Sequence, residues 1–222
     1  MGDAARKSAL YDAFAHTGKA LGSGKRLELL DLLAQGERTV DALAKAAGLN
    51  LTTASAHLQA LKQAGLVVTR RDGVRIHYRL AGEDVAALYA LLRRVAQAHQ
   101  AGVEAARTAY LGEDPPDRID REQLLRRTEA GRVLVLDVRP VEEYAAGHIP
   151  GAVSVPVGDL ADRIADLPAE VEVVVYCRGE YCVMAHEAVR VLGAHGRSAV
   201  RLSDGMLEWR LAGLPVATGT AA

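Results

Sequence analysis

Two thiols, Cys177 and Cys182, are all the cysteine in a chain of 222 residues, and they stand five positions apart. Cys177 follows Val171-Glu172-Val173-Val174-Val175-Tyr176, an apolar run of strand length. It precedes Arg178-Gly179-Glu180-Tyr181 and then a helical stretch from Val183 to about Leu192. A sulfur at a strand end, facing the turn into a helix, can receive backbone N–H groups and the positive end of the helix dipole. Gly179, Glu180, Tyr181 and Val183 are the expected anion cradle, and Arg178 supports the loop with a positive charge. Such a setting lowers a cysteine pKa and favours a thiolate, or the terminal anion of a persulfide. Cys177 is therefore the expected nucleophile, able to accept sulfane sulfur as a persulfide and yield it to an acceptor thiol. A free cysteine can also pack as a small hydrophobe, but Arg-Gly directly after it is unlike core packing.

The elements that must hold this loop follow from the alternation around it. Val133-Leu134-Val135-Leu136-Asp137-Val138 is a second apolar run of strand length, and Glu142-Glu143-Tyr144-Ala145 opens a short helix. Strand-helix alternation of this kind predicts an α/β domain with a mostly parallel sheet. Upstream the pattern is helical, from about Ala4 to Ala20 and from Gly24 to Ala34. Thr39 leads into Val40–Ala47, stopped by Gly48, and Asn50 or Leu51 leads into Thr52–Ala64, stopped by Gly65. Two short helices across a tight turn form a helix-turn-helix unit. Period-two runs, Leu66–Arg71 and Val74–Leu80, then flank Asp72-Gly73, a hairpin signal. A long helix from about Asp84 to Tyr110 follows, and Gly112-Glu113-Asp114-Pro115-Pro116-Asp117 breaks it. Two domains are expected: residues 1–111, a linker at 112–118, a second domain at 119–217 and a tail at 218–222.

The segment from Leu27 to Leu80 resembles the ArsR/SmtB family of winged helix-turn-helix repressors. The resemblance rests on Val40-Asp41-Ala42-Leu43-Ala44, on Thr52-Thr53-Ala54-Ser55-Ala56-His57-Leu58 with Leu61 and Gly65-Leu66-Val67, and on the wing from Arg70 to Leu80. It implies a mainly α domain with a β-hairpin wing, binding double-stranded operator DNA as a homodimer through its terminal helices near Leu10–Leu21 and Val85–Ala109. A recognition helix needs short polar side chains that approach base edges. Thr52, Thr53, Ser55, His57 and Gln59 supply them, while Arg70, Arg71, Arg75 and Arg79 surround a hairpin that can reach phosphates or the minor groove. Val85, Leu88, Leu91, Leu92 and Val95 form an apolar stripe that fits a dimer seam or an ordinary core face. Many family members sense metals, but here no cysteine precedes Cys177, Ala86 stands where a histidine would follow Asp84, and His99 lacks a partner at the family spacing. No metal site and no cofactor are expected.

Residues from about Ile119 to Ala217 resemble a rhodanese domain. Three ordered motifs carry the likeness: Asp137-Val138-Arg139 through Gly147-His148-Ile149-Pro150-Gly151-Ala152, Val173 through Gly179, and Leu202-Ser203-Asp204-Gly205-Met206-Leu207-Glu208-Trp209. The resemblance implies sulfurtransferase chemistry at Cys177, and makes His148 a fold-maintaining residue. Asp137 and Arg139 are expected to pair and tie the first strand to the active loop. Cys182 departs from the sulfurtransferase pattern, which carries a basic residue near this point. As a resolving thiol it could attack a persulfide on Cys177, release sulfide and leave a disulfide; as a plain helix-start residue it would do nothing.

The net charge of −1 hides an asymmetry. Residues 1–111 carry 15 Lys and Arg against 10 Asp and Glu, residues 112–222 carry 12 against 18, and only the front half suits a polyanion. No apolar run is long enough for a membrane span, the polar start Met1–Lys7 lacks a signal-peptide core, and the cytoplasm is the expected location. The combined reading is a DNA-binding regulator, a repressor by resemblance, that senses or transfers sulfane sulfur through Cys177. Its partners would be operator DNA, a second copy, a sulfane-sulfur donor and a low-molecular-weight or protein thiol acceptor. The alternatives are a rhodanese-type sulfurtransferase, or a cysteine-based arsenate reductase, that uses the DNA-binding domain for targeting.

Overall fold

The computed structural model describes residues 2–112, 118–131, 133–169 and 171–220. The chain divides into two compact units, one reaching to Leu91 and the other starting at Leu92. The division falls well before the expected linker at 112–118, of which residues 113–117 lie outside the described residues.

The first unit holds α1 (Gly2–Leu21), α2 (Gly24–Ala34), β1 (Arg38–Thr39), α3 (Val40–Ala46), α4 (Leu51–Gln63), β2 (Val67–Asp72), β3 (Arg75–Leu80) and the start of α5 (Glu83–His99). Each helix of the helix-turn-helix pair has the cap its sequence offers. The Thr39 hydroxyl accepts from Ala42 N at 3.3 Å, and the Asn50 side chain accepts from Thr53 N at 2.8 Å, removing one unpaired donor at each start. Gly48, at φ +60°, turns the chain between them. Leu29, Leu30, Leu33, Leu43, Leu58, Leu61 and Tyr78 are buried together as the core. The hairpin pairs Asp72 with Arg75, so its two loop residues are Gly73 and Val74, one position later than the Asp72-Gly73 expectation. Gly73 has φ +57°; a two-residue hairpin with glycine first needs that positive φ, and only glycine takes it at little cost.

The second unit takes in the rest of α5, α6 (Ala101–Leu111), β4 (Arg118–Ile119), α7 (Arg121–Glu129), β5 (Val133–Asp137), α8 (Val141–Ala146), β6 (Val153–Ser154), α9 (Leu160–Arg163), β7 (Glu172–Tyr176), α10 (Val183–Ala194), β8 (Ala199–Leu202) and α11 (Met206–Leu211). The single helix expected from Asp84 to Tyr110 is interrupted at Gln100, whose backbone is extended (φ −108°, ψ 113°). No proline marks this break; Gly102, a weak helix former, sits just beyond it.

The five strands run in the order β4-β8-β7-β5-β6, every pairing parallel. β7 lies at the centre and is covered on both faces, which is why its sequence is a continuous apolar run. Val174 and Tyr176 join Val135, Leu202 and Trp209 on one face. Val173, Val175 and Cys177 join Leu136, Leu160, Ala188 and Leu192 on the other. Strand alternation thus delivers Cys177 to the face roofed by α10. Among the described residues no helix is long and apolar enough to cross a membrane.

Candidate functional site

Cys177 leaves the carboxyl end of the central strand, where open parallel sheets place their ligand crevices. It is only 3% exposed. Its thiol donates toward the carbonyl oxygens of Gly179 (3.7 Å) and Cys182 (3.5 Å), and Cys182 N donates to Gly179 O at 3.1 Å, closing the loop. The backbone N–H groups that favour an anion on Cys177 are those of Gly179 and Ala185. Of the expected cradle, Gly179 therefore contributes directly, and Ala185 from the first turn of α10 joins it. Glu180, Tyr181 and Val183 complete the loop and are partly exposed.

The two sulfurs divide the ionisation unexpectedly. Burial pushes the Cys177 thiol well up, a hydrogen bond with Cys182 adds to the effect, and the two N–H groups only partly oppose it. Cys182, at the start of α10, is held below the ordinary thiol range, first because Cys177 donates a hydrogen bond to it. Backbone N–H groups of Arg178 and Met184, and the charge of Arg178, act the same way. Burial and hydrogen bonding thus push the two thiols in opposite directions, Cys177 up and Cys182 down. The N–H cradle around Cys177 is legible in the sequence, and the desolvation that opposes it is not.

Arg178 ties the loop to α8. Its Nε lies 3.0 Å from both carboxylate oxygens of Glu143 and its Nη2 2.6 Å from Oε1, while Glu143 is 1% exposed. A planar bidentate pair fixes orientation as well as position. Asp137 and Arg139 pair as expected, both side chains fully buried. Asp137 accepts from Arg139 N (3.0 Å), Nε (2.9 Å) and Nη2 (2.5 Å), and from the Tyr176 hydroxyl (2.5 Å). Arg139 Nη2 also donates to Gly147 O at 2.8 Å. The pair thereby fixes Tyr176, the residue before Cys177. His148 stacks on Tyr144 with centroids 3.7 Å apart, and its Nδ1 lies 2.9 Å from Tyr144 O, a packing role.

The segment after β8 is the floor of the loop. Met206 N donates to Cys177 O (3.0 Å) and Leu207 N to Arg178 O (3.1 Å). A Cβ on Gly205 would lie 2.2 Å from Gly179 N and 2.4 Å from Gly179 Cα. Gly205 N in turn donates to Glu208 Oε2 at 3.0 Å. The motif itself is visible in the sequence, but the part its residues play beneath the loop is not. Glu143 and Glu208 lie within stretches the sequence picks out, but nothing there marks either carboxylate as a support of the loop.

In the first unit, Thr52, Ser55 and Gln59 share the outward face of α4, Thr53 and His57 lie on its flank, and Ala54, Leu58 and Leu61 are buried opposite. Gln59 Nε2 donates to Tyr78 Oη at 3.0 Å, which steadies the helix against the wing. Arg70 is engaged by Glu37, with Nη2 2.6 Å from Oε2, and lies 3.5 Å from Asp72. Its hydrogen bond holds the Glu37 carboxyl below the usual range. Arg71 donates to Gly73 O at 3.0 Å, while Arg75 and Arg79 are exposed on β3.

Comparison with known proteins matches both halves. Residues 23–69 match the bacterial regulatory protein arsR family and residues 120–212 the rhodanese-like domain family. An HTH-type transcriptional regulator of Mycobacterium tuberculosis is 60% identical over 218 residues, covering 98% of this chain and 96% of the relative. A sulfurtransferase of Allochromatium vinosum is 32% identical over 102 residues, covering 45% of this chain and 94% of that protein. The homodimeric winged helix-turn-helix DNA-binding domain of a possible ArsR-family regulator from Mycobacterium bovis is 63% identical, with a TM-score of 0.41, covering 43% of this chain and 88% of that one.

Proposed function

Because the chain belongs to the ArsR-family transcriptional regulators that carry a C-terminal rhodanese-like domain, we propose that sulfane sulfur taken up at Cys177 sets its affinity for operator DNA. The observation that carries this reading is the burial of Cys177 in the loop at the end of the central strand, with its thiol 3.5 Å from the Cys182 carbonyl oxygen.

The chemistry needs only groups already present and a hydropolysulfide donor. The Cys182 thiolate takes the Cys177 proton. The Cys177 thiolate then attacks a terminal sulfur of the donor HSn−, one S–S bond breaks, and HS(n−1)− leaves with the electron pair. Cys177 now carries a persulfide anion. With the proton returned from Cys182, the Cys182 thiolate can attack Cys177 Sγ, forming a Cys177–Cys182 disulfide and expelling HS−. A low-molecular-weight or protein thiol accepts the sulfur from the persulfide, or reduces the disulfide.

On the DNA side, Thr52, Thr53, Ser55, His57 and Gln59 read or line the major groove, and Arg71 and Arg75 contact phosphates from the wing. The functional form is a homodimer. Leu10, Tyr11 and Phe14 on α1, and Leu88, Leu91 and Val95 on α5, are exposed in the single chain, Phe14 at 64% and Val95 at 49%. Exposed apolar side chains in such numbers mark a surface that pairs.

The test is binding to DNA from upstream of its own coding sequence, at fixed salt, with and without polysulfide. Wild type should change affinity on treatment, and Cys177→Ser should not. Equal binding by both proteins in both states would sink the reading, and turnover with a sulfur donor and thiol acceptor would then favour the sulfurtransferase alternative.

A further inference from the structure

Arg93, on the part of α5 that belongs to the second unit, touches the sulfur loop from outside the segment that matches the rhodanese-like family. Its guanidinium lies over the Tyr181 ring, 4.5 Å from the centroid. Its Nη1 is 3.5 Å from Glu208 Oε1, and its side chain is only 14% exposed. A Cβ on Gly179 would meet Glu208 Oε2 at 3.1 Å and Arg93 Nη1 at 3.6 Å. One cation therefore bears on three parts of the loop's surroundings: the Tyr181 face, the Gly179 backbone, and Glu208, which holds Gly205 beneath the loop.

An exposed ion pair would contribute little. A mostly buried guanidinium is different, because its desolvation is costly unless partners surround it, and here an aromatic face and a carboxylate do so together. Tyr89, one turn earlier on the same helix, is buried in the first unit and donates to Asp31 Oδ1 at 3.1 Å.

We propose that Arg93 is a positioning residue of the Cys177–Cys182 loop, and that through it a change in bulk or charge at Cys177 is felt on α5. The proposal rests on reading that loop as the sulfur-carrying one. Cys177 has almost no free surface, so an added sulfur atom must displace loop backbone. Gly179 and Tyr181 move with that backbone, and Arg93 bridges them to α5.

The test is hydrogen exchange, read by mass spectrometry on the full-length chain, for wild type, Arg93→Met and Arg93→Lys. Arg93→Met should speed exchange of the 178–182 amides about tenfold, the scale of losing one desolvated cation–π contact with its ion pair. The β7 amides at 172–176 should stay unchanged, and Arg93→Lys should restore part of the protection. A second arm uses Cys177→Met, which lengthens the buried side chain without sulfur chemistry. It should alter exchange around residues 91–95 when Arg93 is present and leave them unaltered in the Arg93→Met background. Unchanged loop exchange in Arg93→Met, or an equal Cys177→Met response in both backgrounds, overturns the proposal. Neither readout involves polysulfide or DNA, so failure of the sulfur-response reading would show separately.

Discussion

Gly205 has φ −138° and ψ −163°, dihedrals open to any residue, so what demands glycine there is space. An alanine methyl would sit 2.2 Å from Gly179 N, 2.4 Å from Gly179 Cα and 2.5 Å from Arg178 C. Carbon contacts are comfortable at about 3.5–4 Å, so the two segments must separate by more than about 1 Å. Because every atom in the way is backbone, no side-chain rotation relieves the clash. Overpacking costs ~1–3 kcal/mol, occasionally more, and Gly205→Ala belongs at the upper end. The second unit runs from Leu92 to Ala222, between the sizes for which each kcal/mol lowers Tm by about 4–8 °C and about 2–4 °C, so a fall of roughly 10–15 °C is expected in its transition. The bonds from Met206 N to Cys177 O and from Leu207 N to Arg178 O would stretch as well, and Cys177 should become more accessible to iodoacetamide. Calorimetry with parallel alkylation measures both. Gly193→Ala is the control: it lies in α10, where an added methyl would meet nothing within 4 Å, and should hold or raise stability by up to ~1 kcal/mol. A Gly205→Ala protein that melts within about 1 °C of wild type and alkylates at the same rate would refute the close approach.

Four further substitutions have expected outcomes. Asp137→Ala leaves the fully buried Arg139 without its carboxylate and should cost ~3–5 kcal/mol, read as an earlier denaturant midpoint for the second unit. In Cys177→Ala, the pH midpoint of Cys182 alkylation should move up, because a donated hydrogen bond now favours the Cys182 thiolate; an unmoved midpoint would contradict the shared proton. Arg75→Ala should weaken DNA binding uniformly across sequences and reduce the salt slope by about 1. Arg70→Ala should change the slope less, since Arg70 is already engaged by Glu37.

What the sequence determined by itself was whatever local pattern specifies. Thr39 announced one helix start, Asn50 or Leu51 the next, Asp72-Gly73 the hairpin to within one residue, and the apolar run before Cys177 a strand. Two-residue periodicity then decides which way Cys177 points once the strand is accepted. Asp137 and Arg139 were readable as a pair through the resemblance to a rhodanese domain, and the structure shows them paired.

Tertiary structure decided what depends on burial and on partners distant in sequence. The opposite shifts of the two thiols follow from the desolvation around Cys177 and from the groups that the loop and α10 bring to Cys182. Arg178 meets Glu143, and Glu208 meets Arg93, across long stretches of sequence that only the fold brings together. The need for glycine at 205 is likewise set by Gly179, on another strand's loop. A charge pattern along one chain carries no record of such neighbours, since electrostatics and packing act through space and only the fold sets the distances.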